Sequence, residues 1–95
     1  MAQQSYVAET QIVRQVASNP ECTWTYSKHA EDRMAERDIL ASDIQQALIN
    51  GHVVLEERKR DVLWRINGKD IDGRRIHVVA AVYEEAIEIK IVTVF

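Results

Sequence analysis

At Gly51 the spacing of apolar residues changes. Before it they recur every three or four positions, and after it every second position. The switch predicts helices first and a sheet second. Residues 4–18 read as a helix with Val7, Ile12, Val13, Val16 and Ala17 on one stripe, stopped by Asn19-Pro20. Residues 28–37 read as a second helix, with Ser27 as N-cap and Ala30 and Met34 pointing inward. Ser42 caps a third over residues 43–50, with Gln45 at the third helical position, an Ile44-Ala47-Leu48 stripe and Gly51 as a left-handed C-cap. Residues 53–59, 62–69, 74–83 and 86–95 then read as four strands. Turns fall at Lys59-Arg60, at Asp72-Gly73 and at Glu84-Glu85. Connections this short favour antiparallel neighbours. The expected fold is α+β: two to three N-terminal helices packed on a four-stranded antiparallel sheet. Residues 22–26 are β-prone but short, either a strand or an extended lead-in that plugs Trp24 or Tyr26 into the core. In the last strand Ile87, Ile89 and Ile91 share one face and Glu88 and Lys90 the other. Val92 and Val94 then fall on the charged face, so that end is expected to be covered on both sides.

Ninety-five residues support one core and hence one domain, with residues 1–20 as a helical extension to a unit over 26–95. The net charge of −3 argues against a general nucleic-acid binder and leaves room for a local basic patch. The longest apolar run, Val78 to Tyr83, is too short to span a bilayer. Residues 1–4 show no basic stretch leading into an apolar one, and Cys22 is the lone cysteine. A cytoplasmic protein without a disulfide and without membrane contact is expected. The three histidines and one cysteine have no metal-ligand spacing, and the three glycines form no phosphate loop. Neither metal nor cofactor is expected.

Two sets of residues could carry chemistry. His29, Arg33 and Arg37 are spaced i, i+4, i+8 and form one polar ridge on the second helix. Two guanidinium forks beside an imidazole suit a phosphate, because the forks bind its oxygens in pairs and the imidazole moves a proton near neutral pH. The plainer alternative is a solvated ridge neutralised by Asp32 and Glu36. On the strands, Arg75 and His77 share a face with Val79, Ala81 and Tyr83, and Arg65 lies between Trp64 and Ile66. Metal-free RNA cleavage needs a base for the 2′-hydroxyl, an acid for the leaving oxygen and cations for the developing charge. His77 with Arg65 and Arg75 could join His29 in supplying them. The plainer alternative is a charged sheet face in water. Lys28 and the Arg58-Lys59-Arg60 turn are further candidates for RNA backbone contact, the turn being otherwise simply solvated. Trp24 and Trp64 are expected in the core rather than as base-stacking surfaces.

The run Ser27-x-His29-Ala30-x-x-Arg33-Met34-x-x-Arg37-x-Ile39 resembles the signature of a widespread bacterial and phage family of small domains of unknown function. The close Val92-Thr93-Val94-Phe95 is similar to that family's final strand, and the likeness covers residues 26–95. The family is allied to RelE- and BrnT-like ribonuclease toxins. The resemblance therefore implies their compact fold, with His29, Arg33 and Arg37 at the site and Arg65, Arg75 and Thr93 supporting them from the sheet. It implies a toxin-like, metal-independent endoribonuclease with RNA as substrate and a cognate antitoxin or other inhibitory protein as partner. An acidic balance points instead to a non-catalytic protein-binding module, or an inhibitor from a phage or mobile element, that reuses the fold. A third reading is a subunit that dimerises through its last strand.

Overall fold

The structure, a computed structural model, describes residues 5–95. Residues 1–4 lie outside it, and with them the expected helix start at residue 4 and the stretch read for a secretory signal. The elements run α1 (Val7–Ser18), β1 (Thr23–Tyr26), α2 (Lys28–Arg37), α3 (Ala41–Asn50), β2 (His52–Arg58), β3 (Val62–Lys69), β4 (Arg75–Tyr83) and β5 (Glu88–Val94). The fold is α+β as expected, but the sheet has five strands rather than four and is mixed rather than antiparallel. Its order is β1-β5-β4-β3-β2, and β1 pairs with β5 in parallel, from Thr23 opposite Glu88 to Tyr26 opposite Ile91. Four residues are too few for an alternating pattern to stand out, so pairing rather than sequence decides this strand. β5 lies between β1 and β4 with both edges paired, so the last strand offers no free edge for strand addition. No helix among the described residues is long and apolar enough to cross a membrane.

The three helices cover one face of the sheet. Ile44 and Leu48 of α3 meet Ile66, Val78, Ile89, Ile91 and Val94 in a fully buried core. Val13, Val16 and Ala17 of α1 join the same core, so α1 is part of the globule; Val7, off that stripe, is 63% exposed. Asp38 in the left-handed region closes α2. Leu40, not Ser42, is the N-cap of α3. Asp43 Oδ2 accepts from the Leu40 N–H at 3.0 Å, and its Oδ1 accepts from the Ile71 N–H at 3.3 Å, so a contact to the β3–β4 turn selects Asp43 over the Ser42 pattern. Gly51 is extended (φ −86°) rather than left-handed. What demands glycine there is proximity: a Cβ would lie 2.4 Å from the Ala47 carbonyl oxygen, and at Gly68 the same oxygen would be 2.1 Å away. The two glycines let the end of α3 sit directly on β3.

The parity change in the last strand has a different cause from the expected double cover. A β-bulge between Val79 and Ala80 of β4 leaves Val92 as the extra residue on β5, since Ala80 faces Ile91 and Val79 faces Thr93. Ile89, Ile91 and Val94 therefore all reach the helix-covered core, and Thr93 turns outward. The Ser27 hydroxyl donates to the Val92 carbonyl at 2.7 Å and accepts from the Ala30 N–H at 3.0 Å, which ties the bulge to the start of α2.

Candidate functional site

The helical ridge forms as read. Ala30 is fully buried and anchors α2 over the covered face of the sheet, which leaves His29 and Arg37 exposed and Arg33 half-buried beside the core. Lys28 pairs with Asp32 at 3.5 Å, both exposed. Among the described residues His29, Arg33 and Arg37 have no ion-pair partner, so the cations are not locked to Asp32 or Glu36. The ridge is nevertheless balanced: Lys28, Arg33 and Arg37 share ten residues with Glu31, Asp32 and Glu36.

The other face of the sheet, which no helix covers, gathers the strand residues. Strand register places His52, Asn67 and His77 side by side on β2, β3 and β4. The row continues to Phe95, whose backbone exchanges two hydrogen bonds with His77, at 2.8 and 2.9 Å. The next row holds Leu55, Arg65, Val79 and Thr93, and on the other side Lys69 faces Arg75. The Phe95 ring joins the rows. The Arg65 guanidinium carbon lies 5.0 Å from its centroid, and the His77 ring stacks on it at 5.3 Å and 10°. The bulge at Val92 makes this possible, because unbroken alternation would send Phe95 to the helix side with Ile89 and Ile91.

Three polar atoms of this face are buried without a hydrogen-bond partner among the described residues: Arg65 Nε, Asn67 Oδ1 and His77 Nδ1. Such atoms are uncommon in a folded protein, since each forgoes water without a replacement. No carboxylate lies in these three rows. The acids of the open face are Glu57, opposite Leu63 in the row next to that of Arg65, and Glu88, opposite Tyr83 farther along. Folding thus separates charge that the sequence interleaves.

Behind the row, Arg14 of α1 closes α3. Its Nε and Nη2 donate to the Gly51 carbonyl at 3.1 and 2.9 Å, and Nη2 lies 3.3 Å from His52 Nε2. At the β3–β4 turn, Asp70 is buried. Its burial works against ionisation, but the Arg74 backbone N–H and guanidinium, each at 2.7 Å, outweigh it and hold the carboxyl below its ordinary range. Gly73 at φ 85° completes the expected Asp72-Gly73 turn.

The remaining candidates do not join the cluster. Arg58, Lys59 and Arg60 are exposed at the opposite end of β2 and β3, about 20 Å along the strands from His52 at ~3.3 Å per residue, and Arg58 pairs with Glu56 at 3.2 Å. Trp64 is half-buried on the covered side and donates to Glu56 Oε1 at 2.8 Å, and Trp24 packs against the core, as expected of both. Burial pushes the Cys22 thiol up, and nearby Glu88 adds to that, which disfavours a thiolate. Among the described residues no group of three His, Cys, Asp or Glu side chains could hold a metal ion. Sequence reasoning missed Phe95, Asn67 and His52. The parity break after Ile91 was the available signal for Phe95, and nothing local marks the other two.

A family model described as a domain of unknown function, DUF4258, matches residues 26–95, which leaves α1 and its Arg14 outside the matched part. No curated protein and no solved structure matches the chain.

Proposed function

The chain belongs to the DUF4258 family of domains of unknown function, and on that premise we propose that it binds single-stranded RNA on the open face of its sheet and cuts it without a metal. The resemblance to RelE- and BrnT-like toxins suggests the chemistry. The observation that carries the proposal is the pair of Arg65 and His77 on one aromatic ring, each with a buried nitrogen that has no protein partner. A phosphate at Arg65 would supply the missing acceptor, and an aromatic face beside a cation is a stacking platform for a base. In this reading His77 takes the proton from the ribose 2′-hydroxyl, whose oxygen attacks the adjacent phosphorus. Arg65 and Arg75 hold the charge that builds on the phosphoryl oxygens, and His52, two strands away in the same row, returns a proton to the departing 5′-oxygen. The products are a 2′,3′-cyclic phosphate and a 5′-hydroxyl. The proton-transfer role thus moves from His29 to His77, while Arg75 keeps its expected part.

A second reading has its own observation. β2 is an edge strand that exposes Val54 and Leu55, at 43% and 39%, and neighbouring β3 exposes Val62 at 38%. An apolar edge of this kind suits strand addition by a partner protein, an antitoxin or another inhibitor. One experiment separates the two. Purified protein is incubated with single-stranded RNA in chelator, and the products are resolved on a gel and probed for cyclic phosphate. Cleavage by the wild type and at least ~100-fold slower cleavage by His77→Ala is expected. Intact RNA, with no binding by fluorescence anisotropy, would overturn the RNA reading and leave the edge strand as the functional surface.

A further inference from the structure

At the end of the sheet, beyond the Arg65–Phe95–His77 cluster, a hollow of about 490 Å³ opens between Asn50, His52, Asn67, Gly68, Lys69 and Arg75. We propose that it is a ribonucleotide subsite, in which Lys69 and Arg75 hold a phosphate and Asn67 Oδ1 accepts the hydrogen bond of a ribose 2′-hydroxyl. It rests on the RNA reading above, in which only the cleavage step requires a 2′-hydroxyl, and adds a means of telling RNA from DNA in binding.

The cations come first. Lys69 and Arg75 face each other across β3 and β4, both exposed, and neither has an ion-pair partner among the described residues. The nearest carboxylate in the chain, Asp70, is buried and engaged by Arg74. The walls are rigid. The Asn50 amide donates to the Lys69 carbonyl and accepts from its N–H, both at 2.9 Å, so the end of β3 is pinned to the end of α3. Gly68 lies flush against Ala47, and Arg14 occupies the last carbonyls of α3, which would otherwise repel an anion.

The acceptor decides the ligand. Asn67 Oδ1 is buried with nothing donating to it. A backbone phosphodiester cannot help, because its oxygens only accept. A hydroxyl can donate, and a ribonucleotide carries both groups, a phosphate on one side of the sugar and a 2′-hydroxyl beside it. The 2′-hydroxyl is the atom by which proteins distinguish RNA from DNA.

The test is fluorescence anisotropy on ice with three single-stranded oligonucleotides of one sequence: RNA, DNA, and a 2′-fluoro strand that cannot donate. A gel run afterwards confirms that the strands are intact. The wild type should prefer RNA over both others by roughly fivefold, the worth of one neutral hydrogen bond. Asn67→Ala should bring the three together, and Asn67→Ser, which keeps an acceptor, should restore part of the preference. Lys69→Gln with Arg75→Gln should weaken all three and flatten the salt dependence by about 0.7 for each phosphate no longer neutralised. Equal affinity of the wild type for RNA and the 2′-fluoro strand overturns the subsite, a comparison that needs no variant to fold. RNA binding and cleavage with a preference that Asn67→Ala leaves unchanged overturns the subsite alone. Failure of every strand to bind overturns the RNA reading and the subsite together.

Discussion

The helical ridge and the open sheet face carry the same residue types, a histidine and arginines, and differ in how their charge is arranged. On α2 three acids accompany three bases within ten residues, so the ridge presents alternating charge to water. On the sheet Arg65, Lys69 and Arg75 fall in rows without a carboxylate, and the face's acids, Glu57 and Glu88, lie on the side of Arg65 away from Lys69 and Arg75. The helix draws its neighbours from adjacent sequence and inherits its mixture of signs. The sheet draws one residue in two from separate strands, so it can concentrate one sign out of an acidic chain.

Exchange of the two histidines is the strongest way to break this comparison. His77→Ala should slow RNA cleavage by ~100-fold or more, the usual share of a general base, while His29→Ala should stay within about threefold. The reverse order would return the site to α2. Gly68→Ala tests the support of the sheet site alone. The added Cβ meets backbone, so the variant should lose about 1–3 kcal/mol in urea unfolding and lose RNA affinity with it. A weaker effect is expected at the cap of α2. Ser27→Ala removes the acceptor for the Ala30 N–H and should cost about 1 kcal/mol, with the RNA affinity of the folded protein unchanged. If affinity falls as well, the bulge at Val92 that Ser27 ties down reaches as far as Phe95.

The pH dependence should be the smallest effect, and its sign is set by Asp70. Its folded-state pKa is depressed, so its stabilisation is present above the ordinary carboxylate range, about 3.9, and is lost as pH falls through the lowered value. The gap in thermal midpoint between wild type and Asp70→Asn should therefore be widest near neutrality and close in acid. A gap that widens in acid would mean that Arg74 does not hold the carboxylate.

Legibility followed the range of the interactions. The period switch at Gly51 placed three helices before the four antiparallel strands, and the two-residue spacing of Arg75 and His77 put them on one face, because both depend on backbone geometry within a few residues. Ser27 as cap and Asp72-Gly73 as turn were readable for the same reason. The fifth strand was not, since Thr23–Tyr26 becomes a strand only by pairing with a partner more than sixty residues away. Ser42 and Gly51 misled because contacts to Ile71 and Ala47 outweighed the local cap patterns.

The order of the three helices and of the last four strands, the apolar stripes and the identity of the polar groups were thus determined by sequence alone. Tertiary structure decided which of those groups meet. Strand register set His52 beside Asn67 and Asn67 beside His77, and a single bulged residue turned Phe95 onto their face. Register and bulges are chosen by the packing of the whole sheet against its helices, so a window of neighbouring residues contains no record of them.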